Sequence, residues 1–467
     1  MSSLSEMDRR YLFHPMTALA THEHAGPAPV IVKGEGAWLE DAEGRRYLDV
    51  MAGLWCVNVG YGRREIAEAL ERQASTLSYC HTFSGVSSDQ AILLAQRLIE
   101  MAPVPMSKVF FGNSGSDAND SAVKIVWYYQ NVRGKPKKKK IIARERGYHG
   151  VTIVSGSLTG LHAQHAGFDL PLPFVKHTTA PRPLWEGAGL TDAEFVSRLV
   201  DDLEQLIQAE GPETIGAMVV EPVMGAGGVI VPPEGYYPAI KEVLSRHDIL
   251  LIADEVITGF GRLGRPFGTE VFGLEPDLIV LAKGVTSGYA PLSGVMVSEE
   301  VWRTVVSGEE RFGVFGHGFT YTAHPGPAAA ALANLDLIES DQLVEQAAHR
   351  GSYLKDRLVD AFGDHPLVGD IRGIGLMCGV EFVASQGPAV AFDPSLKVAA
   401  RIVKDAFQRG VIGRALPQTD TISFSPPFII SEEEIDTAVS AFRSATDRVM
   451  QQLVDEGTWQ RPQARLR

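Results

Sequence analysis

Two short apolar runs each end in one reactive side chain: Ile249–Ala253 leads into Asp254, and Leu278–Ala282 leads into Lys283. Runs of this length and character fit parallel strands buried on both faces. Adjacent parallel strands bring their carboxyl ends to one edge of a sheet, and open α/β sheets bind ligands outside that edge. Burying an acid beside a lysine there is costly unless a ligand uses both charges. Pyridoxal phosphate is such a ligand, because a lysine holds it as a Schiff base and an acid pairs with its pyridinium nitrogen.

Two further polar groups stand at expected strand ends. Gly112-Asn-Ser-Gly-Ser-Asp117 follows the apolar run Val109–Phe111 and opens a helix with Ala118, Ala122, Ile125, Val126 and Tyr129 on one face. Ser114 and Ser116 can cap that helix, Gly115 lets a ligand approach the backbone, and the free amides suit a phosphate. The segment matches neither the P-loop nor the GxGxxG pattern, which counts against a nucleotide. Gly147-Tyr-His-Gly150 comes just after Ile141–Arg144 and offers an aromatic face for a planar ring. Each feature has a plain alternative: an ordinary cap, a packed loop tyrosine, a strand-terminal carboxylate, a surface lysine. Those alternatives do not explain four polar sites at four strand ends.

The elements that must position these residues fall into three zones. Residues 1–60 hold short strands around Gly44, such as Ala37–Leu39 and Tyr47–Val50, residues 61–325 alternate helical and strand-like patterns, and residues 326–467 turn mainly helical. Within the last zone, short strands are expected near Met377–Phe382 and Thr421–Ser425. Alternation through the middle predicts a mostly parallel, helix-covered sheet. Thr191-Asp-Ala-Glu194 and Ser431-Glu-Glu-Glu434 read as capping boxes that open helices. The basic run Lys137–Lys140 reads as a solvated turn.

A net charge of −14 opposes binding to nucleic acid and to anionic membranes. Three cysteines without CxxC spacing read as reduced thiols of a cytoplasmic protein. Charged residues Glu6, Asp8, Arg9 and Arg10 leave the first sixteen positions without a signal-peptide core, and the apolar stretch Ala328–Ala333 stops at Asn334, far short of a membrane span. His22-Glu-His24 lacks HExxH spacing and reads as a surface loop, so no metal site is expected. His317 and His324 are expected to shape the loop around Thr320, and no GxSxG nucleophile elbow occurs.

Gly112–Asp117, Tyr148-His149-Gly150, Glu221-Pro222, Asp254-Glu255-Val256, Lys283-Gly284 and Gly318-Phe-Thr320 together resemble the signature of class III aminotransferases, of fold type I among pyridoxal-phosphate enzymes. The resemblance runs from Leu12 to Val449, and Gly53-Leu-Trp-Cys-Val-Asn-Val-Gly-Tyr-Gly62 is similar to the ω-amino-acid:pyruvate and amine:pyruvate transaminases. It implies an α/β fold. A three-layer α/β/α large domain (residues 61–325) with a mostly parallel sheet would be joined by a smaller α+β domain built from both termini (residues 1–60 and 326–467).

By the same resemblance Lys283 would hold the cofactor and shuttle a proton, while Asp254 would keep the ring nitrogen protonated. Tyr148 and Val256 would flank the ring, with His149 and Ile257 beside them. Ser114, Gly115 and Ser116 would meet the phosphate, as would Thr320, preceded by Phe319, from a neighbouring subunit. A homodimer, or a tetramer of such dimers, is therefore expected. Glu221 would stand near the phenolic side of the cofactor, with a structural ion pair as the alternative. Trp55, Tyr148 and Met16 would line the substrate pocket, although Met16 replaces the aromatic residue usual there. Arg414, in Gly413-Arg-Ala415, would be a mobile arginine for substrate carboxylates. The reaction implied moves nitrogen from an amine or ω-amino acid to a keto acid. Rival readings are another class III transaminase, an aminomutase, a nicotinamide-dependent dehydrogenase lacking its glycine fingerprint, and a non-catalytic binding protein.

Overall fold

A computed structural model describes residues 3–461. Its centre is a seven-stranded sheet whose spatial order is Lys108–Gly112, Ser293–Val297, Leu278–Leu281, Leu250–Asp254, Ile215–Val220, Lys140–Arg144 and Val175–Thr178. Only Ser293–Val297 runs against the others, pairing antiparallel with both neighbours. Side chains alternate across such strands, and the alternation splits the apolar residues cleanly between two cores. Leu251, Ala253, Met218, Val220, Ile279 and Leu281 enter one cluster, with the helices Asp192–Glu210 and Tyr236–Arg246. Ile252, Ala217, Val219, Leu278 and Val280 enter the other, with the helix Gly115–Val132. Each of these larger aliphatic side chains contributes about 1.5–3 kcal/mol when fully buried. Uninterrupted apolar strands are thus explained by helices on both faces.

Two four-stranded sheets flank this layer structure. In one, Ile31–Glu35, Trp38–Asp41 and Arg46–Asp49 form an antiparallel meander closed by Val411–Ile412, which pairs in parallel with Arg46–Asp49. In the other, Val368–Gly373, Cys378–Phe382, Thr421–Phe424 and Arg414–Ala415 are antiparallel. Residues from both ends of the chain therefore build the smaller α+β part. The capping boxes at Thr191 and Ser431 both form, opening Asp192–Glu210 and Glu432–Asp455. No helix among the described residues is long and apolar enough to cross a membrane.

Three local expectations are corrected. Lys137–Lys140 is not a solvated turn: only Lys137 is exposed, and buried Lys138 donates to the carbonyls of Ile215, His247 and Asp248 at 3.1, 3.0 and 2.7 Å. An ammonium carries three donors, and three convergent carbonyls at the sheet's edge satisfy all of them. His22 and His24 sit in the helix Leu19–Ala25 rather than a loop. His22 Nε2 and His14 Nε2 lie 2.9 and 2.8 Å from the two oxygens of Asp8, tying this helix to Leu4–Tyr11. Ser114 caps Gly115–Val132 through a reciprocal pair with Asp117, whereas Ser116 Oγ accepts from Val151 N instead of capping.

Candidate active site

Leu250–Asp254 and Leu278–Leu281 are neighbours in register, with Asp254 opposite Val280, so Asp254 and the residues after Leu281 emerge at one sheet edge. Lys283 opens a short turn there with φ of +45°, a left-handed conformation that costs a non-glycine residue about 1 kcal/mol or more. Asn334, from the helix Pro325–Ser340, holds that turn by donating to the carbonyls of Gly284 and Val285, both at 2.9 Å. Lys283 and Asp254 line one cavity of about 160 Å³.

Asp254 is buried, and its Oδ2 accepts from Asn119 Nδ2 at 2.9 Å and from His149 Nδ1 at 2.8 Å. Among the described residues its Oδ1 accepts only from Val256 N, at 3.1 Å. The carboxylate is thus clamped on one oxygen while the other has capacity for a further donor, and an aromatic N–H would be such a donor. Tyr148 and Val256 both face the cavity. Gly115 packs tightly on the Val256 side, since a Cβ there would stand 3.1 Å from Val256 Cγ1 and one of the two would have to shift by a few tenths of an ångström. Ser114 Oγ accepts from Asp117 N, and the Asp117 carboxylate accepts from Asn113 N and Ser114 N. Among the described residues the amides of Gly115 and Ser116 have no acceptor. Two free amides at the start of an 18-residue helix make a seat for a phosphate. The acid, the lysine, the walls of Tyr148 and Val256 and the free amides all fit pyridoxal phosphate.

Of the residues singled out in the sequence, Gly115, Ser116, Tyr148, His149, Glu221, Asp254, Val256, Ile257 and Lys283 line this cavity. Trp55 and Arg414 stand next to it: the Trp55 ring centroid is 5.9 Å from Lys283 Nζ and 4.8 Å from Arg414 Cζ. Met16, 70% exposed, is not brought to the cavity by its own chain, and neither are Phe319 and exposed Thr320. The ion-pair alternative for Glu221 gives way to another arrangement, in which it accepts from Tyr148 N and Gly225 N, both at 2.9 Å, and so fixes Tyr148. His317 bridges Lys124 and Ser121, and His324 caps Pro325–Ser340. Sequence reasoning missed Asn119 and Val223. Asn119 left one trace, a lone amide on the apolar face of the helix that Ser114 opens.

Burial pushes the Lys283 ammonium below its ordinary range, with Arg414 adding to the effect and Cys56, Asp254 and Glu221 opposing it. Burial also raises the Glu221 carboxyl. A neutral amine is the nucleophilic form of lysine, so attachment should begin at lower pH than for a free lysine. When cofactor-free protein is mixed with pyridoxal phosphate, the rate of covalent attachment is expected to rise with pH through a midpoint below 10.5. Rapid-mixing absorbance across a pH series measures that midpoint, and a value at or above 10.5 would contradict the burial argument.

The family described as aminotransferase class-III matches residues 20–446. A diaminobutyrate–2-oxoglutarate transaminase of Halomonas elongata is 47% identical, with 98% of each chain covered. Gamma aminobutyrate transaminase 3 of Solanum lycopersicum, a chloroplastic protein, is 43% identical over 94% of this chain and 84% of its own. Among solved structures, an omega transaminase from Pseudomonas jessenii in complex with PMP superposes with a TM-score of 0.94 at 45% identity, covering 97% of this chain and 99% of that one.

Proposed function

This chain belongs to the class III aminotransferases, which depend on pyridoxal phosphate, and on that premise we propose that it is an ω-type transaminase. It takes the amino group of an amine or an ω-amino acid such as β-alanine and passes it to a keto acid, pyruvate, in two half-reactions. The observation that carries this reading is the delivery of Lys283 and Asp254 by neighbouring parallel strands into one cavity. Bound pyridoxal phosphate supplies an electron sink at the substrate carbon and carries the nitrogen between the two substrates.

The chain's own residues do the rest. Lys283 Nζ would carry the proton from the substrate carbon to the cofactor in one half-reaction and back the other way in the second, a role suited to an amine whose burial favours the neutral form. Asp254 holds a proton on the ring nitrogen, with His149 and Asn119 fixing the carboxylate's direction. Tyr148, anchored by Glu221, and Val256 would flank the ring, and Ile257 lines the same cavity. Gly115 and Ser116 give amides to the phosphate at the turn that Ser114 shapes. Phe319 and Thr320 act across the contact of a homodimer. Val314, 89% exposed, and Tyr321, 59% exposed, lie on the same segment and give a second copy apolar surface to cover. Three free cysteines fit a reducing cytoplasm.

The ω-preference draws support from the relatives named for γ-aminobutyrate and diaminobutyrate, compounds with an amino group distant from their carboxylate. Arg414 supplies the carboxylate-binding guanidinium, and no carboxylate of the described residues is ion-paired with it. Arg414→Ala is expected to raise KM for the keto acid by about 10–100-fold while changing deamination of an uncharged amine by less than about threefold. Separate stopped-flow traces of the two half-reactions read this directly, and equal loss in both would refute the assignment.

A second reading differs only in the acceptor. The Halomonas relative favours 2-oxoglutarate. A panel of donors offered with pyruvate or 2-oxoglutarate, scored by alanine against glutamate formation, decides between them. Amine turnover without any keto acid would instead indicate an aminomutase.

A further inference from the structure

We infer that Trp55 holds Arg414 turned toward the cavity, so that a single indole sets both the width of the amine pocket and the strength of carboxylate binding. The inference rests on the carboxylate-binding role proposed for Arg414.

The Arg414 guanidinium lies 4.8 Å from the centroid of the Trp55 ring. It is half-buried and without an ion pair among the described residues, and the groups that compensate its charge are that ring face and the Tyr148 phenol. Trp is the best aromatic partner for a cation, and the attraction grows when both groups leave water. The same ring lies 5.9 Å from Lys283 Nζ, so both cations proposed to meet the substrate are neighbours of one indole.

Trp55 is built to stay still. It is 3% exposed and packs against Val223, Ile257 and Leu416. Its backbone follows a tight turn with φ of +46° at Ala52, +70° at Gly53 and +58° at Trp55. Buried Asp49 pins that turn by accepting from Met51 N at 2.9 Å, Gly53 N at 2.7 Å and the Tyr61 hydroxyl at 2.6 Å. Arg414, by contrast, sits on a two-residue strand and no side-chain hydrogen bond among the described residues restrains it. A rigid ring beside a free guanidinium makes Trp55 a positioning residue for carboxylates. For amines without a carboxylate it is simply a wall.

The test is a double-mutant cycle on the holoenzyme, with Trp55→Leu and Trp55→Phe each made alone and in the Arg414→Ala background. With Arg414 present, Trp55→Leu is expected to raise the pyruvate KM by about tenfold, and Trp55→Phe, which keeps a π face, to restore most of the loss. With Arg414→Ala, the Leu change should move the pyruvate KM by less than about twofold. An acceptor aldehyde lacking a carboxylate should show no comparable rise with Trp55→Leu in either background. Equal effects in both backgrounds, or a Phe variant no better than Leu, would overturn the inference while leaving the Arg414 assignment standing. If Arg414→Ala itself left the pyruvate KM unchanged, the underlying reading would fail, and this inference with it.

Discussion

Replacing Lys283 by alanine is expected to lower turnover by at least about 10³-fold, because one side chain supplies both cofactor attachment and proton transfer. The cofactor should still bind, since the free amides of Gly115 and Ser116, the Asp254 carboxylate and the walls of Tyr148 and Val256 remain. Two measurements separate these effects. Borohydride reduction followed by mass spectrometry should find cofactor mass on the parent protein and none on Lys283→Ala. Equilibrium dialysis should find cofactor bound to both. Adding a small primary amine should recover part of the proton-transfer rate, because it can enter the space the lysine leaves. Unchanged turnover in Lys283→Ala would remove the foundation of the proposed mechanism.

Asp254→Asn should cost turnover about 10²–10³-fold with the fold retained. An amide keeps the shape of the carboxylate but carries no charge to hold a proton on a ring nitrogen. Its oxygen can stand in for Oδ2 and keep Asn119 and His149, but its NH2 then occupies the place of Oδ1 and cannot accept from Val256 N, so that contact is given up. A stability loss of about 1–2 kcal/mol should accompany the catalytic loss. Asn119→Ala is the useful comparison, since it loosens the carboxylate without neutralising it. Turnover of that variant should lie between parent and Asp254→Asn, and circular dichroism should match the parent in both variants. An Asp254→Asn enzyme as fast as the parent would show that the acid does not act on the reaction.

The strand-borne half of the site could be read in the sequence because its physics is local. A fully apolar run ending in Asp254 or Lys283 announces a buried strand and what stands at its end, and the register of the two strands then places both residues together. Features set by distant segments could not be read in this way. Lys138 is indistinguishable from its three neighbours until carbonyls from Ile215, His247 and Asp248 converge on it. Asn119 needed Asp254 opposite it, more than a hundred positions along the chain. Val411–Ile412 and Arg414–Ala415 are too short for any periodicity, so Arg414 was visible only through family resemblance. Gly115 was read as room for a ligand, whereas the structure adds a protein neighbour, Val256, that would crowd a side chain there.

The pairing of Val411–Ile412 with Arg46–Asp49 bears on how the enzyme comes into being on the ribosome. Leu48 has no partner on that side until Val411 has been synthesised and has left the exit tunnel. The strands that carry Asp254 and Lys283 are complete well before then, so the coenzyme cradle can form early. Arg414 follows Val411 by three positions, so the carboxylate-binding group proposed for substrates is among the later parts of the site to be synthesised. On the proposed assignment, a chain stalled before that point would lack the group that grips a keto acid by its carboxylate while already holding Asp254 and Lys283.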